Sequence, residues 1–189
     1  MNRRKVLIVD DETIIRMDLR EMLQEYGFGE IWEAKNGEEA VELAHKHRPD
    51  LILMDVKMPQ LDGIKAAGII RKFSDASIVL LTAYSDRKLV EEACGANVTA
   101  YLVKPVSEDS LFPAIEVALS QREQFRRLKE EIGGLSRKFE ARKTVERAKG
   151  KIMQQYAFSE EEAHRWLQQE SMRRRIPMVE LADRVLAGE

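Results

Sequence analysis

The sequence is short of several things at once. It has one cysteine, Cys94, among 189 residues; no internal disulfide is possible, and no metal-ligand spacing surrounds it, so a small buried or half-buried side chain is the reading. The three histidines, His45, His47 and His164, also lack ligand partners at useful spacing and are assigned no chemistry. No apolar run approaches the roughly 20 residues that span a bilayer, and the opening "MNRRKVLIVDDE" meets acidic residues before a signal-peptide core could form. Internal repeats and low-complexity segments are missing as well. These absences argue against a disulfide scaffold, a metal module and a membrane protein, and a cytoplasmic location is expected.

What is present suffices for a packed core: 44% of residues are hydrophobic, and the length fits one domain of common size with a smaller partner. The net charge of -2 hides an asymmetry. Residues 1–121 carry 15 Lys+Arg against 21 Asp+Glu, whereas residues 122–189 carry 16 against 12. An acidic half and a basic half suggest two tasks.

"KVLIVDD", "EIWEA", "DLILMD", "SIVLLTA" and "AYLVKP" read as five strands, four of them without polar alternation, as in strands buried on both faces of a parallel sheet. Between them, "TIIRMDLREMLQEYG", "EEAVELAHKH", "DGIKAAGIIRKF" and "DRKLVEEACG" have helical apolar spacing with a Gly, Pro or Asp at an end. Such alternation predicts right-handed βαβ units and a doubly wound α/β domain, whose ligands bind at the carboxyl ends of the strands.

A fifth helix starts near "SEDSLFPAIEVAL". Beyond it, Phe125, Leu128, Ile132, Leu135 and Phe139 are spaced 3, 4, 3 and 4, an a/d seam of just over two heptads. A dimeric coiled-coil connector is the reading, with a solvated single helix as the alternative. Its weak points are Gly133 and Gly134, worth roughly 2 kcal/mol together against a helix, and Pro113 upstream, a candidate kink. The last 50 residues look all-helical, with a capping box from Ser159 and Glu162, and Pro177 in the first turn of a final helix whose apolar face is Leu181, Ala182 and Val185.

Chemistry gathers where the strands end. Asp10 and Asp11 close the first strand, Asp55 the third, Thr82 the fourth and Lys104 the fifth, so the five side chains should meet on one rim. Three crowded carboxylates repel one another unless a cation joins them, and Mg²⁺ suits such oxygen ligands. A carboxylate beside Mg²⁺ can act as nucleophile toward a phosphoryl group whose oxygens a hydroxyl and an ammonium neutralise.

With "VLIVDDE", "LILMDVKMPQLDG", "LLTA" and "YLVKP" in this order and spacing, residues 1–120 resemble a response-regulator receiver domain. The resemblance implies a flavodoxin-like five-stranded fold, Asp55 as phospho-acceptor, and Asp10, Asp11, Asp55 and the Lys57 carbonyl as Mg²⁺ ligands. It also implies Lys104 and Thr82 on the phosphoryl group, Tyr101 switching with Thr82, and a cis peptide between Lys104 and Pro105.

The strongest positive run is residues 137–154: Arg137, Lys138, Arg142, Lys143, Arg147, Lys149 and Lys151 against Glu140 and Glu146. On a helical wheel Ala141, Val145, Ala148 and Ile152 form the apolar stripe, Lys138, Arg142 and Lys149 flank it, and Lys143, Arg147, Gly150 and Gln154 face away. Bare backbone at Gly150 among cations invites a phosphodiester or a base. A helix-turn-helix is disfavoured by the acidic turn "SEEEA" that follows, whereas RNA loops offer splayed bases to a short basic helix. Trp166 is read as packing inside the bundle, with stacking on a base as the alternative.

"RKTVERAKGKIMQQYAFSEEEAHRWLQQESMRRRIPMVELA" resembles an ANTAR domain, an RNA-binding module of transcription antiterminators, with Lys151 where that family more often has an aliphatic residue. The resemblance centres RNA contacts on Ala148, Lys149 and Gly150, to which charge adds Arg142, Lys143 and Arg147. The expected organisation is a receiver (1–120), a coiled-coil linker (121–136) and a small three-helix ANTAR domain (137–189). The expected function, which the two resemblances imply, is antitermination without enzymatic turnover. A sensor histidine kinase phosphorylates Asp55, a homodimer is favoured on phosphorylation or RNA binding, and paired modules hold tandem small RNA hairpins. Ethanolamine utilisation is one setting of this architecture. A DNA-binding regulator and a phosphorelay adaptor that binds protein are the alternatives.

Overall fold

The computed structural model describes residues 4–83 and 98–188, which divide into two compact units between Arg126 and Arg127. In the first unit, β1 (Lys5–Val9), β2 (Glu30–Ala34), β3 (Leu51–Asp55), β4 (Ser77–Thr82) and β5 (Ala100–Val103) form one sheet in the order β2-β1-β3-β4-β5. Every neighbouring pair is parallel. Parallel strands need crossovers, and α1 (Thr13–Glu25), α2 (Gly37–His47) and α3 (Gly63–Ile70) supply three of them. The helix expected over residues 86–95, with Cys94 in it, lies outside the described residues.

The two faces of the sheet account for the unbroken apolar runs. Leu7, Val9, Ile52, Met54, Ile78 and Leu80 are buried on one side with Ala40, Ala44, Ala66, Ala67 and Ile70 of α2 and α3. Their alternate neighbours Val6, Ile8, Leu51, Leu53, Val79 and Leu81 meet Leu19 and Leu23 of α1 and Leu111, Ile115 and Ala118 of α4 (Glu108–Tyr156). With both faces covered, residues 51–54 and 78–81 are apolar throughout, each large side chain contributing about 1.5–3 kcal/mol on burial, and the polar Ser77, Asp55 and Thr82 stand at strand ends.

Helix α4 is 49 residues long and continuous. Pro113 stands within it without ending it, and Gly133 and Gly134 leave it unbroken, so the stretch expected as a linker and the whole basic stretch are one helix. Its receiver end is fastened: the Ser77 hydroxyl donates to the Ala118 carbonyl at 2.7 Å, Arg122 pairs with Asp50 at 2.9 Å, and its Nε donates to the Asp75 carbonyl at 2.9 Å. Farther along, Phe125, Leu128, Ile132, Leu135 and Phe139 remain 55–67% exposed.

In the second unit the end of α4 packs with α5 (Glu160–Arg174) and α6 (Met178–Ala187) around Ala148, Ile152, Ala163, Leu167, Leu181 and Ala182. The Ser159–Glu162 capping box opens α5. Pro177 sits at the N-cap of α6, one position before the first turn where it was expected, with extended backbone. Trp166 is half-buried against this core, as the sequence reading had it. Among the described residues no helix is long and apolar enough to cross a membrane.

Glu33 ties α1 to the β2 edge, accepting from Arg16 Nε at 3.2 Å and Arg20 Nε at 2.5 Å. Burial alone would raise its pKa, but the hydrogen bonds and charges of Arg20 and Arg16 outweigh burial and hold it below the usual carboxylate value. A carboxyl with a depressed folded-state pKa contributes stability above its unfolded pKa, about 4.3, and loses it as the pH falls through the folded value. Glu33→Gln is therefore expected to lower the urea midpoint at pH 7, and its gap from wild type should close as titration proceeds below about pH 4.3.

Candidate functional site

The site lies at the carboxyl ends of β1, β3, β4 and β5, where the order of the sheet reverses between β1 and β3. Lys104 Nζ, one residue past β5, stands 2.7 Å from Asp10 Oδ2 and 2.6 Å from Asp55 Oδ1. Asp10 is fully buried, and its other oxygen accepts from the Glu12 N–H at 3.0 Å. Thr82 is buried at the end of β4, whereas Tyr101 is about half exposed on the edge strand. The Lys104–Pro105 peptide is cis.

Two buried carboxylates share one ammonium, and the electrostatics follow from that imbalance. Burial pushes the Asp55 carboxyl above the usual carboxylate range; Lys104 offsets part of this, Asp10 adds repulsion, and the Lys57 N–H donates to the ionised form. Burial would lower the Lys104 pKa, yet hydrogen bonds to Asp10 and Asp55 hold it above the ordinary lysine value. Asp11 is exposed and lines an open cleft with Lys57, Met58 and Asp62. Among the described residues no three acidic, cysteine or histidine side chains are grouped as a ready metal cluster, and Lys104 pairs with both buried carboxylates. The excess negative charge and the all-oxygen donor set nevertheless fit a hard divalent cation.

Position of Asp55 depends on the turn that follows it. Asp62 caps α3 by accepting from the Lys65 N–H at 2.9 Å, and the Gly63 N–H donates to the Val56 carbonyl at 3.0 Å. A Cβ at Gly63 would overlap the Asp55 carbonyl oxygen and press on Met54.

The basic stretch divides differently from the helical wheel. Arg142, Lys143 and Arg147 are exposed, and Gly150 is half-buried with open space where a Cβ would stand. Ala148 and Lys149 are not surface groups. Ala148 belongs to the bundle core, as its place on the apolar stripe requires, so its side chain cannot meet RNA. The Lys149 side chain is 8% exposed and pairs at 2.8 Å with both Glu146 and Glu160, which hold its pKa above the usual lysine value. Lys151 crosses to the end of α6, where its ammonium donates to the Val185 and Leu186 carbonyls at 2.8 and 3.2 Å. That cap gives the lysine a structural task.

Sequence reasoning missed Glu160, the interhelical partner of Lys149, and Ser171, whose hydroxyl donates to the Ile176 carbonyl across the α5–α6 turn at 2.7 Å. A serine five residues before the end of a turn is a weak local signal; the Glu160 contact has none, since it depends on how α5 lies against α4. Gly63→Ala is expected to destabilise the first unit by about 2–4 kcal/mol, read by urea unfolding, because β3 and α3 must separate to admit the methyl.

Comparison with known proteins agrees with this division. Residues 6–116 match the response regulator receiver domain, and residues 134–186 match the ANTAR domain. The transcriptional regulatory protein PdtaR of Mycobacterium tuberculosis is 50% identical over 183 residues, 97% of this chain and 89% of that one. Among solved structures, the receiver domain of a modulated diguanylate cyclase from Desulfovibrio desulfuricans G20 is 33% identical with a TM-score of 0.59, covering 64% of this chain and 96% of that one. The CheX–CheY–BeF3–Mg complex from Borrelia burgdorferi is 29% identical with a TM-score of 0.57, covering 59% and 86%. Regulators of this two-domain kind are not enzymes. The chain belongs to the response regulators, as a receiver domain followed by an ANTAR domain.

Proposed function

We propose that this protein is a phosphorylation-regulated RNA-binding regulator that promotes transcription antitermination by holding tandem small hairpins in nascent mRNA leaders. The observation that carries the proposal is the Asp10–Lys104–Asp55 cluster at the strand ends, in one chain with exposed cations on the ANTAR helix. The domains are taken as 1–120, 121–136 and 137–189, and the cytoplasm as the site of action.

Asp55 is the phospho-acceptor. One of its carboxylate oxygens attacks phosphorus, and the bond from phosphorus to the imidazole nitrogen of a sensor histidine kinase breaks. Lys104 and the Thr82 hydroxyl then hold the new phosphoryl oxygens, and Tyr101 repositions as Thr82 moves. Asp10, Asp11, Asp55 and the Lys57 carbonyl would hold Mg²⁺, which supplies charge to offset the incoming phosphoryl group. The exposed seam from Phe125 to Phe139 supports pairing with a second copy. Pairing two weak RNA modules raises apparent affinity without any new contact, which is how phosphorylation would reach the RNA. Arg142, Lys143 and Arg147 supply phosphate contacts and Gly150 a close backbone approach. The buried Lys149 contributes only after it leaves its carboxylates, and Ala148 through its backbone alone.

With a labelled two-hairpin RNA, phosphorylated wild type is expected to bind at least about tenfold tighter than Asp55→Asn, by filter binding at fixed salt. Equal binding would remove the switch, and duplex DNA competing as well as the RNA would move the reading to a DNA regulator. Gly150→Ala is expected to stabilise the second unit by up to about 1 kcal/mol, because no atom obstructs the added methyl. The same substitution should weaken hairpin binding, and undiminished binding would make Gly150 a tolerated glycine.

A further inference from the structure

Lys149 is the most buried cation of the basic stretch and the least available. Its ammonium is 2.8 Å from Glu146, three residues earlier on α4, and 2.8 Å from Glu160, in the first turn of α5. The lysine side chain is 8% exposed, while those of Glu146 and Glu160 are 53% and 71% exposed. The buried partner is thus the cation, and the groups that cover it face water.

The geometry points to the groove between α4 and α5 as an RNA phosphate subsite in which Glu160 occupies the place of the phosphate; this rests on the RNA-binding reading above. The carboxylate of Glu160 is an anion of the same charge sign as a phosphodiester, held on the lysine by the same kind of charge-assisted hydrogen bond. An approaching phosphate therefore exchanges with it rather than adding to it. Two features favour exchange at Glu160 over Glu146. Glu146 shares a helix with Lys149 and moves with it, whereas Glu160 rides on α5. The groove also holds His164 and Arg165, so a displaced Glu160 carboxylate keeps a guanidinium nearby. Glu146 continues to pair Lys149 throughout, which keeps the buried ammonium from standing alone.

Exchange has a signature that simple proximity of a negative charge lacks. When a phosphate replaces Glu160, the freed carboxylate stays beside the RNA and offsets the positive charge that Lys149 brings to it, so the net ion release from that contact is small. Without the carboxylate the same contact releases its full share, roughly 0.7–0.9 in the slope of log K against log salt.

The test uses the full chain and a pool of paired short RNA hairpins with randomised loops, enriched on wild type. Glu160→Gln is expected to bind the enriched RNA about three- to tenfold tighter, with a salt slope steeper by roughly 0.7–0.9. Glu180→Gln, which likewise deletes a carboxylate paired with a cation, here Arg184 at 2.8 Å on α6, should stay within about twofold of wild type. The Glu160→Gln gain should vanish in a Lys149→Met background, and Glu160→Ala should reproduce it should the first variant fold poorly. The proposal is overturned by wild-type affinity in both Glu160 variants, by an equal gain in Glu180→Gln, or by a gain that survives Lys149→Met. A pool in which wild type enriches nothing overturns the RNA-binding reading as well, which separates the two failures.

Discussion

One ammonium between two buried carboxylates is the contact on which the receiver half of this molecule depends. Lys104 reaches Asp10 and Asp55 only because β1, β3 and β5 all run the same way and end on the same rim. The sheet in turn exists because its central strands are apolar on both faces and α1, α2 and α3 each return the chain to the end where the parallel strands begin. The site is left with more negative charge than Lys104 neutralises, which is a cost in the resting protein and an invitation to a cation. If Asp55 is the phospho-acceptor, as proposed, Lys104 already touches the carboxylate that would receive the phosphoryl group.

Much of this was legible in the sequence because it is local. Strand ends are marked by Asp10, Asp55, Thr82 and Lys104 themselves, and period-two and period-3.6 patterns separate strand from helix without tertiary knowledge. The Ser159 capping box is also a four-residue matter. Legibility stopped where the outcome depends on a second element. The wheel put Lys149 on a flank of the helix, correctly for α4 alone, but the arrival of α5 turned that flank into an interface and paired the lysine with Glu160. Lys151 is the same case with α6, whose terminal carbonyls it caps. Ala148 shows the opposite error: its place on the apolar stripe was evident, and the family resemblance nevertheless pointed to it as a contact. Gly133, Gly134 and Pro113 are each unfavourable to helix, yet α4 runs through them, since flanking helix and packing at both ends outweigh about 1 kcal/mol per glycine.

Helix α4 is also where the two halves of the function meet along the chain. Its first turns belong to the receiver core through Leu111, Ile115 and Ala118, and its last turns to the ANTAR core through Ala148 and Ile152. Between these lies a seam of large apolar side chains left in water. Under the proposed function, a second copy would cover that seam and bring two basic stretches together, so that a chemical event at Asp55 would change RNA avidity.

The most direct test is ultraviolet crosslinking of the full chain to nascent leader RNA, before and after phosphorylation of Asp55, with crosslinked peptides identified by mass spectrometry. The account predicts crosslinks confined to residues 142–168 and a yield that rises severalfold on phosphorylation. Crosslinks concentrated in residues 4–83, or a yield indifferent to phosphorylation, would contradict it.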